Sequence, residues 1–60
     1  MKTREWIEDK IKSEQGILKR FEECLDESLK KHNIDMIDLN KMEIHVSNIR
    51  IELLEEILED

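Results

Sequence analysis

The side chains able to do chemistry are few and scattered: Cys24, His32, His45, and a large set of carboxylates among which Glu14 stands apart. A thiol beside an imidazole would be a nucleophilic site, and a His/Cys/Asp cluster a metal site, but each needs its members held together. His32 and His45 share no metal-ligand spacing with each other or with Cys24, and there is no Ser/His/Asp set and no Gly-rich phosphate loop. The expectation is a protein that is not an enzyme and holds no metal or cofactor. His32 reads as a residue of a helix C-terminus, and His45 as part of a polar face with Lys41, Asn48 and Glu52. Cys24 reads as a small hydrophobe flanking a core. Trp6 packs beside Ile7 at one end of the molecule or, as a lone aromatic, anchors a partner.

Glu14 interrupts an apolar stripe where Ile or Leu would be expected. Burial favours the neutral form of a carboxyl, whereas a place near an open end lets it reach water or a cation. Arg50 is the cation the expected fold offers, and Glu14 with Arg50 forms a candidate register-setting pair.

The elements that position these groups follow from composition. Sixty residues lie below the size at which one core usually stabilises itself without help. With 43% charged and 38% hydrophobic residues, the chain is too apolar for plain disorder and too charged for a membrane span. A single Cys excludes an internal disulfide and suits a reducing compartment. No apolar run exceeds two residues, so no leader or spanning helix is expected, and the expected location is the cytoplasm. The chain has no Pro, no Ala and one Gly, Gly16, which marks a close approach or a slight bend in a helix.

The only credible break is Lys30-Lys31-His32-Asn33-Ile34-Asp35. Basic residues end a first helix as its dipole prefers, Asn33 can take the left-handed conformation, and Asp35 can cap a second helix. Ile34 would touch Leu29 across the first helix end and Leu39 across the second. The fold class is therefore all-α: a single domain, 1–60, forming an antiparallel two-helix hairpin. Its helices span about 3–32 and 36–59, with a turn at 33–35. A competing β-hairpin reading rests on alternation through Ile44, Val46, Ile49, Ile51 and Leu53, but the alternation slips at Ser47-Asn48.

In the first helix Ile7, Ile11, Leu18, Phe21, Leu25 and Leu29 share one side at 100° per residue. In the second, Leu39, Met42, Val46, Ile49 and Leu53 recur at alternating three- and four-residue steps, continued by Ile57. These two sets are the expected intra-hairpin core. Ile37, Ile44, Ile51 and Leu58 recur every seven residues on the opposite side, widened by Leu54 and Met36. A helix with one partner should present charge there. This second stripe is the expected interface, through which two copies would pair as a dimeric four-helix bundle.

Net charge is −6, and the excess falls in the second helix. Residues 33–60 carry eight acids against Lys41 and Arg50, and Glu52, Glu55, Glu56 and Glu59 form an acidic patch with no basic neighbour in sequence. Folding would lay Lys2, Arg4, Lys10 and Lys12 beside that end. The expected function is a small regulatory or inhibitory adaptor of bacterial, phage or plasmid type, acting by protein–protein binding as a homodimer. One alternative is an acidic mimic of nucleic acid that occupies a basic binding surface. Another, ranked last, is an RNA-binding helical-hairpin dimer. The basic residues of the first helix are interleaved with acids, which argues against direct nucleic-acid binding.

Overall fold

The computed structural model describes residues 3–59 and consists of two α-helices, α1 (Arg4–Lys30) and α2 (Ile34–Glu59), packed antiparallel as a hairpin. No strand occurs among the described residues, so the alternation around Ser47-Asn48 belongs to a helix. The molecule is a rod measuring 44 × 14 × 14 Å.

Local chemistry sets the helix ends. Thr3 caps α1, its hydroxyl accepting the Trp6 N–H at 3.2 Å. At the other end His32 takes the left-handed conformation at φ 55°, the Asn33 N–H donates to the Ser28 carbonyl at 3.0 Å, and the His32 N–H donates to the Leu29 carbonyl at 3.2 Å. This is a Schellman termination. Asn33 then caps α2, its Oδ1 accepting the Met36 N–H at 3.3 Å.

The turn is therefore Lys31-His32-Asn33, two residues earlier than the spacing predicts, and two roles are reassigned. His32 rather than Asn33 is left-handed, and Asn33 rather than Asp35 caps α2. Asn suits both roles, and here its amide oxygen is committed to the cap. With α2 starting at Ile34, that side chain is 71% exposed instead of bridging Leu29 and Leu39, both of which are exposed as well. Leu29 thus falls outside the core.

The inner face of α1 is Ile7, Ile11, Glu14, Leu18, Phe21, Leu25 and Ser28, buried or half-buried at alternating four- and three-residue steps. The inner face of α2 is Ile37, Asn40, Ile44, Ser47, Ile51, Leu54 and Leu58, likewise spaced. This exchanges the two stripes of α2. Ile37, Ile44, Ile51, Leu54 and Leu58, expected as an interface, face α1; Leu39, Met42, Ile49, Leu53 and Ile57, expected as core, are exposed, with Val46 half-buried.

The reason lies in two polar residues. Asn40 is 3% exposed, and its Nδ2 donates to Ser28 Oγ at 3.1 Å; the Ser28 hydroxyl donates in turn to the Cys24 carbonyl at 2.8 Å. Ser47, 1% exposed, puts a small side chain on the seam, which lets the helices approach there. Between the Asn40–Ser28 tie and the Arg50–Glu14 contact, Ser47 falls level with Leu18, and Ile44 with Phe21. Each polar position on the α2 seam is thus either satisfied or sterically matched by α1.

Candidate functional site

The feature that a lone hairpin does not use is the outer face of α2. Leu39, Met42, Ile49, Leu53 and Ile57 are exposed there, Met42 to 63%, and Val46 is half-buried among them. At 1.5 Å per residue the stripe from Leu39 to Ile57 runs for about 27 Å. Single exposed aliphatics are ordinary, but a contiguous row at coiled-coil spacing has the form of an interface. Two further residues border it. Met36 shares an open groove of about 300 Å³ beside the turn with Cys24, Glu27, Ser28, Lys31 and Asn33, and Ile17 lies seven residues before Cys24 on α1. The exposed thiol of Cys24 therefore sits at the margin of this face and outside the core.

The surface of the chain carries the same message. It totals 5083 Å², against about 4,200 Å² for a compact folded protein of 7.3 kDa. The excess comes from the rod shape, in which each helix is covered on one side only.

Glu14 and Arg50 are brought together: Arg50 Nη1 lies 3.7 Å from Glu14 Oε1, longer than a direct hydrogen bond. The Glu14 side chain is 16% exposed, that of Arg50 is 59% exposed, and Glu14 Oε2 is buried without a hydrogen-bond partner. A carboxylate in a seam with one oxygen unsatisfied costs stability relative to Leu, and the Arg50 charge offsets part of that cost.

The acidic end of α2 meets one of the expected cations. Glu52, Glu55, Glu56 and Glu59 are exposed, and no basic residue lies in the last turn of α2. Arg4 Nη1 donates to the Leu58 carbonyl at 3.4 Å, placing positive charge at the negative end of the helix dipole. Arg4 also pairs with Glu8 at 3.5 Å, while Lys10 stacks over the Trp6 ring with Nζ 5.4 Å from its centroid. Lys12 is exposed on α1, and Lys2 lies outside the described residues. Lys31 pairs with Glu27 at 3.8 Å beside the turn. His45 is exposed on α2, and no group of three potential metal ligands occurs among the described residues. No helix among them is long and apolar enough to cross a membrane. A Cβ at Gly16 would meet nothing within 4 Å, so this glycine does not mark a close approach.

The seam residues that sequence pattern left unassigned are Asn40, Ser47 and Ser28. Their signal was present, since Asn40 and Ser47 share a heptad face with Ile37, Ile44 and Ile51, and Ser28 one with Phe21 and Leu25, but it becomes legible only when polar pairs count as core. The chain matches no family model, no curated protein and no solved structure.

Proposed function

We propose that the chain is a small acidic interaction module, a regulatory or inhibitory adaptor that acts by protein–protein binding in the cytoplasm. The observation that carries this reading is the exposed row Leu39, Met42, Ile49, Leu53 and Ile57, an apolar seam with nothing in the hairpin to cover it. Pairing of two copies through that row forms a dimeric four-helix bundle, the common way for short helical hairpins to gain a second layer. The exposed single thiol of Cys24 suits the reducing compartment. With a net charge of −6, such a module favours basic partner surfaces over acidic ones.

Sedimentation equilibrium across a dilution series tests the reading. The native chain is expected to associate and to melt at a temperature that rises with concentration. Ile49→Glu or Leu53→Glu should abolish both effects and release any bound protein target. If binding to a target instead survives these changes and disappears with salt and with Glu55→Lys/Glu56→Lys, the acidic end is the working surface and the mimic reading replaces this one.

A further inference from the structure

The outer face of α2 has a direction written into it. Its centre is Leu39, Met42, Val46, Ile49 and Leu53, stepping by three and four. Two rows flank that centre at seven-residue intervals: Met36, Glu43, Arg50 and Ile57 on the edge toward Cys24, and Asp38, His45, Glu52 and Glu59 on the other. In an antiparallel pair of helices each edge row meets the same row of the other copy, running backwards. The first row then matches throughout, with Met36 against Ile57 and Glu43 against Arg50, each pair occurring twice by symmetry. The second row sets His45 against Glu52, a donor against an acceptor, and Asp38 against Glu59, two acids toward the ends of the contact. The same alignment puts Met42 opposite Leu53 and Val46 opposite Ile49 in the centre.

A parallel pairing sets one edge row against the other. That brings Asp38 to Glu43 and His45 to Arg50, and gathers Glu52, Glu55, Glu56 and Glu59 of both copies at one end. Like charges so placed oppose association. Two departures mark the antiparallel alignment: Asp38 faces Glu59, and Glu56 stands where the central row would place an apolar residue opposite Leu39. The row steps sideways there to Ile57, whose counterpart is Met36.

We propose that two copies pair antiparallel through the outer faces of their α2 helices, about a two-fold axis crossing between Ser47 and Asn48. This deepens the reading of that face as a protein–protein interface and rests on it. The occupant is a second copy because the row Met36, Glu43, Arg50 and Ile57 is complementary to itself when reversed. Arg50 can serve both contacts, since a guanidinium has five donors and Glu14 engages one edge of it at 3.7 Å. The product is a dimer of four helices in which the two α2 helices form the contact.

Spin labels at Asp35→Cys in a Cys24→Ser background give the orientation directly. An antiparallel dimer places the two Asp35 positions about 38 Å apart along the axis, and a parallel one places them within about 20 Å. The second measurement is the dimer dissociation constant of Glu43→Lys, with helicity followed by circular dichroism. Antiparallel pairing predicts weakening of about tenfold, as two attractive pairs become repulsive. An equimolar mixture with Arg50→Glu should restore it, because both pairs between positions 43 and 50 are then again of opposite sign. Parallel pairing predicts that Glu43→Lys tightens the dimer through Asp38. A short label distance with a tighter Glu43→Lys dimer overturns the antiparallel pairing and leaves the interface standing. A monomer at millimolar concentration removes the interface and the proposal together.

Discussion

The two faces of α2 invite direct comparison. The inner one, turned to α1, mixes Ile37, Ile44, Ile51, Leu54 and Leu58 with Asn40 and Ser47; the outer one presents Leu39, Met42, Val46, Ile49 and Leu53 without a polar interruption. The more apolar face is the more exposed. Hydrophobicity alone would have turned the helix the other way, so burial here is decided by complementarity. Asn40 finds Ser28, the small Ser47 is fully covered in the seam, and neither match is available on the outer side. A helix apolar on two sides needs two neighbours, and the hairpin supplies one.

The largest expected effect separates the faces. Ile44→Asp or Ile51→Asp places a charge in the seam and should cost the hairpin on the order of 3 kcal/mol or more, with helicity by circular dichroism lost at every concentration. The outer Ile49→Glu should keep its helical signal at high concentration and lose only the concentration dependence of melting. Equal behaviour of the two sets would erase the distinction between the faces.

The next effect sharpens the role of the polar layer. Ser28→Ala leaves the Asn40 amide buried without its acceptor and should lower stability by about 1–3 kcal/mol in denaturant melts. Asn40→Leu should act in the opposite direction on stability while loosening the register, since a buried Asn fixes alignment at a cost. His32→Gly should add about 1 kcal/mol by removing the side chain from a left-handed position, as a raised melting temperature. Smallest is Gly16→Ala, worth about 0.5–1 kcal/mol, because the added methyl meets open space and the helix gains propensity.

The hairpin itself was legible in the sequence. The absence of Pro, the single Gly and the Lys-Lys-His-Asn run leave room for one turn only, and α1 crowds Ile7, Ile11, Leu18, Phe21 and Leu25 on one side. The facing of α2 was not, because two stripes of similar spacing competed and hydropathy favoured the one with fewer polar residues. What decides between them is a hydrogen bond from Asn40 to a residue twelve positions away and the smallness of Ser47, both properties of the pair of helices. The turn slipped by two residues for a related reason: Asn33 is equally suited to the left-handed position and to the cap, and local pattern cannot assign it to one.

The turn contains neither Gly nor Pro, so its composition does not forbid helix straight through it. What stops the helix is the left-handed His32 and the capping bonds around it, a constraint of about 1–2 kcal/mol on the backbone of one residue. Straightening would relieve that constraint and join α1 to α2 in one shaft of about 84 Å. Two such shafts lying side by side, in opposite directions, would recover the contacts across the seam by exchanging halves, so the length of this molecule depends on a turn of three residues.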